Sequence, residues 1–122
     1  MKLTNQQMDM ALNVLQEIST KTSGKLGYIV AKNMRILSNE LVEYYKIKDE
    51  TIKELGSPDD EGHYSIKVDS SEFKQFVAKM QEYADIETDV NIITIDPELI
   101  YSTDITGAEI NAMLFMINDE EE

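Results

Sequence analysis

The stretch ADIETDVNIITIDPE, residues 84–98, decides the fold class because it has the period of a strand in a chain otherwise patterned for helices. From Ile86 to Ile92, apolar residues alternate with acidic or polar ones, which predicts a strand with one buried face and its carboxylates outside. The alternation shifts at Ile93, which predicts a bulge or a strand end buried on both faces. Asp96-Pro97 then predicts a capped turn of helix.

Helical patterns occupy most of the remaining chain. Thr4 and Gln7 have the spacing of a capping box, and apolar residues at three- and four-residue intervals follow as far as Ile18. A similar pattern runs from Leu26 to Leu55, which would be about 45 Å long as one helix. Such a helix either breaks, for example near residues 38–39, and bends over its own core, or projects and meets another chain.

Two further helices and one further strand are predicted. Asp69 begins a helix that ends near Ala84. A capping box at Thr106 begins a helix that is apolar almost all round, so this helix is either central to the core, which the notably apolar pattern favours, or half-open to a partner. Alternation at 64–68 predicts a short strand that pairs with 87–95. The expected fold is therefore α+β in a single domain, 1–122, with about four helices (one long), a small antiparallel two-stranded sheet and a flexible acidic tail at 118–122.

The net charge of −13 is concentrated in the second half of the chain. Residues 1–55 carry eight Lys and Arg against seven Asp and Glu, whereas residues 56–122 carry three against seventeen. Such a surplus repels nucleic acid and attracts basic surfaces, although it also serves solubility. The chain has no cysteine and no apolar stretch long enough for a signal peptide or a membrane span, so we expect a cytoplasmic protein.

Residues that would indicate an enzyme or a metal site are scarce. His63 is the one histidine and lies in a polar loop, so a zinc site lacks its preferred ligands. The loop SPDDEGHYSIKV, residues 57–68, is similar to a calcium-binding loop but has Ser57 and Val68 at the first and twelfth positions, where carboxylates are needed. Nucleotide-binding and nucleophile motifs are missing from the sequence. We therefore predict no catalytic residue, no metal and no cofactor.

The chain resembles a family of small acidic bacteriophage and prophage proteins of uncharacterised function. The resemblance is carried by MKLTNQQ at the start, by AKNMRILSNELVEYYKIKDETIKELGSPDDEG and by DVNIITID, and it spans nearly the whole chain in the same order. These motifs reflect ancestry and fold, and the family brings no catalytic residues. The resemblance implies a phage gene product that acts in the cytoplasm of an infected bacterium or is built into a virion.

Two functions fit these observations. The first is a non-enzymatic inhibitor, of the anti-CRISPR or DNA-mimic type, that binds a basic host protein such as a nuclease or defence effector, without direct contact with nucleic acid or membrane. Its acidic face would comprise Asp59, Asp60, Glu61, Glu87, Asp89, Asp96, Glu98 and Asp104. The second is a virion structural or assembly protein that forms a homo-oligomer through apolar helix surfaces. Its interface would comprise Tyr44, Tyr45, Phe115 and Met116.

Overall fold

A computed structural model of the chain describes residues 1–101 and 103–117, and the predicted acidic tail at 118–122 lies outside them. The helices are α1 (Asn5–Ile18), α2 (Gly24–Glu40), α3 (Val42–Leu55), α4 (Ser71–Ala84) and α5 (Gly107–Ala112). The strands are β1 (Lys2–Thr4), β2 (Ser57–Pro58), β3 (Tyr64–Ser65) and β4 (Glu87–Asp89). Short 3-10 helices occupy Ser19–Lys21, Pro97–Ile100 and Leu114–Met116. The predicted α+β class is confirmed.

The predicted helix from Leu26 to Leu55 is divided into α2 and α3 at Leu41. The Leu41 amide donates to the carbonyls of both Leu37 and Ser38, at 3.0 and 3.2 Å, and its ψ of 0° stays in the right-handed region but departs from the regular helix. The Leu41 side chain is fully buried. The chain therefore turns here because the turn lets Leu41 enter the core, which confirms a break three residues beyond the expected position.

The core is built on α1 and α2, which are joined by a short connection and pack side by side. The capping box at the start of α1 is confirmed, with the Gln7 amide 3.1 Å from Thr4 Oγ1 and the Thr4 amide 2.8 Å from Gln7 Oε1. Large apolar side chains at helical spacing are completely buried between the two helices. They are Met8, Leu15 and Ile18 of α1 and Val30 and Leu37 of α2.

The predicted pairing of strands 64–68 and 87–95 is wrong. Strand β4 instead pairs antiparallel with β1, with Leu3 opposite Thr88, and β3 pairs with β2 in a local hairpin. The hairpin forms because Asp59 Oδ1 accepts from the amides of Glu61 and His63, at 2.8 and 2.9 Å, which fixes the intervening turn. The local hairpin engages β3 with β2, and β4 pairs with β1 instead.

A covering segment, residues 85–105, crosses the α1–α2 pair on its way to α5. Its apolar anchors recur every five residues, and all four are at least 90% buried. They are Val90, Ile95, Ile100 and Ile105. The buried Asn33 of α2 holds the middle of the segment by bonding both the amide and the carbonyl of Ile93, each at 2.9 Å. The predicted cap at Asp96 is confirmed, with its Oδ1 3.0 Å from the Glu98 amide.

Helices α3 and α4, with the hairpin between them, form an arm (residues 42–84) that contains few fully buried side chains. Thr51, Met80 and Ala84 are buried along it, but the other apolar side chains of α4 are only partly covered, and Val77 is 46% exposed. Val68, which follows β3, is 76% exposed. The cap of α4 is Ser70, whose Oγ accepts from the Phe73 amide, and not the predicted Asp69.

Candidate functional site

All eight predicted acidic residues are exposed, but they fall into two separate groups. The hairpin turn contains Asp59, Asp60 and Glu61. The hairpin lies between the end of α3 and the start of α4 in the chain, and its strand β3 contacts α3. The other five follow the end of α4. Helix α4, which is about 20 Å long, separates the hairpin from the start of the second group. The fold therefore does not bring the predicted acidic residues together on one compact face.

The hairpin group serves the turn itself. The Asp59 carboxylate accepts hydrogen bonds from two backbone amides. Nδ1 of His63 lies 3.7 Å from a carboxylate oxygen of Asp59 and from one of Glu61. All three side chains are largely exposed, so these contacts are weak in water. The structural task of Asp59 explains its position without invoking a ligand, and only Asp60 and Glu61 remain as free charges at the tip.

The second group lies along the covering segment and forms what we call the acidic strip. It contains the predicted Glu87, Asp89, Asp96, Glu98 and Asp104, to which the structure adds Asp85, the exposed residue that ends α4. The buried anchors of the segment hold its backbone against α2, so these carboxylates face solvent. No Lys or Arg follows Lys79 in the sequence. The strip's own sequence therefore contributes only negative charges, whereas cations of other elements lie at its two ends, with Lys2 opposite Asp89 and Lys21 and Lys25 near Asp104.

The contacts of the strip leave most of its charge available. Within residues 1–101 and 103–117, its one ion pair joins Asp89 to the α-amino group of Met1, at 2.8 Å. Asp104 lines a polar cleft together with Lys21 and Lys25, which weakens the field at that end. Lys21 itself pairs with Glu109 at 2.9 Å, and this lysine, together with the Thr106 amide, lowers the pKa of the Glu109 carboxyl.

The strip runs along the α1–α2 pair. It begins beside β1 at the start of α1, passes Asn33 in the middle of α2, and ends beside Lys25 at the beginning of α2. Helix α1 has 14 residues, so this path covers about 20 Å. The mean spacing of the six carboxylates over that distance is close to that of the phosphates in one DNA strand, about 3.4 Å, and the cations beside Asp89 and Asp104 lower the net charge at the two ends.

The four residues predicted for an apolar interface do not form a common surface. Met116 is completely buried and packs against Asn33, so it is not available to a partner and its assignment was wrong. Tyr44 and Tyr45 are half-buried where α3 meets α1, and the Tyr45 hydroxyl donates to the Asp9 carboxylate. Burial and that carboxylate both raise the pKa of Tyr45. Phe115 alone borders an open apolar surface.

That surface is a groove between α1 and α5 that the sequence interpretation missed. It has a volume of about 320 Å³ and is lined mainly by apolar side chains. Its lining comprises Leu3, Gln7, Met10, Ala11, Val14, Asn111, Ala112 and Phe115. One feature of the sequence could have indicated the groove: Met10 is apolar but does not lie on the buried face of α1. In the structure its side chain is 62% exposed.

No protein-family model, curated protein or solved structure matches the chain. None of the helices in the part of the chain that the structure describes is long and apolar enough to cross a membrane. Within the same residues, no three histidine or acidic side chains are grouped closely enough to hold a metal ion. The candidate sites are therefore the acidic strip, which is a charged surface, and the groove, which is an apolar one.

Proposed function

We propose that the protein is a non-enzymatic binding module that inhibits a nucleic-acid-binding protein by occupying its cationic surface with the acidic strip. The observation that carries the proposal is the run of six exposed carboxylates on the covering segment, in a part of the sequence that contains no Lys or Arg. A surface that binds nucleic acid is rich in Lys and Arg and obtains much of its affinity from phosphate charge. A carboxylate surface of comparable density competes for the same cations.

In addition to its charge, the way in which the strip is held on the α1–α2 pair supports this function. The segment is fixed by buried anchors and by its two hydrogen bonds with Asn33, so the backbone that carries the carboxylates is ordered before any partner binds. Binding by an ordered surface avoids the entropy of ordering a flexible acidic peptide. A solubilising charge would need no such attachment, and this difference favours a binding role.

The resemblance to phage proteins suggests which partners to test. A phage protein of this kind would act in the cytoplasm of the infected bacterium on a basic host protein such as a nuclease or defence effector. In that setting, long-range attraction between the strip and a basic groove would speed association, and would weaken as the salt concentration rises.

The experiment compares two variants that carry the same change in charge. Glu87→Lys with Glu98→Lys alters the strip, whereas Asp60→Lys with Glu61→Lys alters the hairpin tip, which α4, about 20 Å long, separates from the start of the strip. Each protein is used to capture nucleic-acid-binding proteins from a bacterial lysate. Each captured protein is then assayed for displacement from a fluorescent DNA duplex. We expect the strip variant to displace DNA at least ten-fold less well and the hairpin variant to match the unaltered chain within two-fold.

Two results would contradict the proposal. Equal loss in both variants would show that net charge alone matters, and no displacement by the unaltered chain at low salt would remove the inhibitory role. The competition should also weaken by more than ten-fold between 50 and 300 mM salt, because it depends on charge.

A virion structural or assembly role is the second candidate, and the arm gives the observation that favours it. Phe73 and Phe76 of α4 are only half-buried, with ring centroids 6.1 Å apart, and Val77 beside them is exposed. Apolar association through this face would resist salt. Sedimentation in 50 mM and 1 M salt separates the two functions. An oligomer that persists in high salt supports assembly, whereas a monomer at both concentrations supports the binding module.

A further inference from the structure

The apolar groove between α1 and α5 offers a second candidate binding surface, which adjoins the acidic strip where Leu3 lies opposite Thr88. Along α1, Gln7, Met10 and Val14 succeed one another at three- and four-residue intervals, so they form one side of the groove. The opposite side is Ala112 and Phe115, and Leu3 of β1 closes one end. Leu114, the neighbour of Phe115 in the chain, is also exposed, at 57%. Continuous apolar surface of this type is characteristic of contact sites.

The charges around the groove indicate the chemistry of its occupant. The two segments that line it, 3–18 and 103–117, contain no Lys or Arg. Two nearby carboxylates are already engaged, Glu109 by Lys21 and Asp9 by the Tyr45 hydroxyl. Glu17 is exposed and continues the row of Met10 and Val14 one turn further along α1. An apolar floor with a free carboxylate at its end is complementary to an apolar ligand that carries a cation.

We propose that this groove binds a short amphipathic helix of a partner protein, with an apolar stripe in the groove and Lys or Arg at its ends. From Gln7 to Val14 the lining row measures about 10 Å, which matches two turns of a docked helix, and Glu17 lies one turn beyond it. Three apolar side chains at i, i+3 and i+7 would therefore enter the groove, which is the usual arrangement when a helix binds in a groove. The groove supplies apolar burial, which the acidic strip does not.

The probe is a fluorescein-labelled 15-residue peptide with Leu at positions i, i+3 and i+7, Gln elsewhere and two Lys at each end. Its control has the same composition with the leucines moved to different faces. Ala112→Arg places a bulky side chain in the groove, and Gln16→Arg adds the same charge on the opposite side of α1. By fluorescence anisotropy at 150 mM salt, we expect Ala112→Arg and the scrambled peptide each to weaken binding at least ten-fold, and Gln16→Arg less than two-fold.

Met10→Gln provides a second variant that keeps the fold, because Met10 is 62% exposed, and it should weaken binding at least three-fold. Equal binding of the scrambled peptide, or unchanged binding by both groove variants, would overturn the proposal. So would a dimer of the protein alone that Ala112→Arg dissociates, because the occupant would then be a second copy. The Glu87→Lys, Glu98→Lys strip variant is not a control for the groove, because Glu87 lies opposite Thr4, next to Leu3 of the groove. Met10→Gln leaves all charges unchanged, so it should weaken peptide binding and keep the displacement of DNA within two-fold of the unaltered chain. Failure of the strip proposal is therefore distinguishable.

Discussion

Replacement of Asn33 by Leu tests whether one buried amide holds the covering segment on α2. The Asn33 side chain is fully buried, and it donates to the Ile93 carbonyl and accepts from the Ile93 amide, each at 2.9 Å. Leucine has a similar volume and makes neither bond. Two partly buried backbone groups then lose their partners, at about 1–3 kcal/mol each. We expect the free energy of unfolding to fall by about 2–5 kcal/mol, a large part of the 5–15 kcal/mol typical of a domain.

The assay is urea unfolding followed by far-ultraviolet circular dichroism, with amide hydrogen exchange as a local readout. Asn39→Leu is the matched control, because Asn39 lies on the same helix but is exposed. The control should stay within about 0.5 kcal/mol of the unaltered chain. In Asn33→Leu, the Ile93 amide should lose its protection before the amides of α1 and α2 do. A loss below 1 kcal/mol, or an Ile93 amide that remains protected, would refute the reasoning.

Two further predictions concern the arm and its junction with α1. Gly56→Ala should destabilise the arm by about 1–3 kcal/mol in urea unfolding, because an added Cβ would lie 2.5 Å from the carbonyl oxygens of both Ile52 and Ser65. The control is Gly107→Ala, which should be neutral or stabilising because nothing lies within 4 Å of the added Cβ. Equal stability of the two variants would contradict this prediction. Tyr45→Phe should lower the free energy of unfolding by about 1 kcal/mol at pH 8, and this difference should shrink as the pH rises above about 10. The reason is that the pKa of Tyr45 is higher in the folded than in the unfolded protein, so the hydroxyl contributes its full stability below the unfolded pKa and loses it as the pH rises. A difference between the two proteins that stays constant from pH 8 to 11 would show that the Asp9 contact contributes nothing.

The sequence predicts those parts of the fold that depend on neighbouring residues. The capping boxes at Thr4 and Thr106 and the cap at Asp96 all appear as expected, because each needs side chains only two or three positions apart. The break at Leu41 could be expected only approximately, since Leu41 fits helical spacing as well as it fits the core. The pairing of β1 with β4 could not be expected, because three residues are too few to show alternation.

The candidate sites were predicted less well than the helices, for a related reason. The exposed state of the carboxylates followed from composition, but their separation into a hairpin group and a strip depends on the local turn at Asp59. Met116 was taken as surface because both sides of its helix are apolar, whereas the packing of Asn33 and Ile95 draws it into the core. The groove depends on contact between α1 and α5, which lie about a hundred residues apart.

The five-residue spacing of the buried anchors has a consequence for how the protein begins to unfold. Because Val90, Ile95, Ile100 and Ile105 are isolated contacts along a mostly irregular segment, their release should be cooperative and should precede global unfolding. The opened form would expose the apolar side of α2 to neighbouring molecules. Yet the released segment carries only negative charges, and like-charged chains repel one another. The same residues that cover the core would thus delay aggregation once it is uncovered.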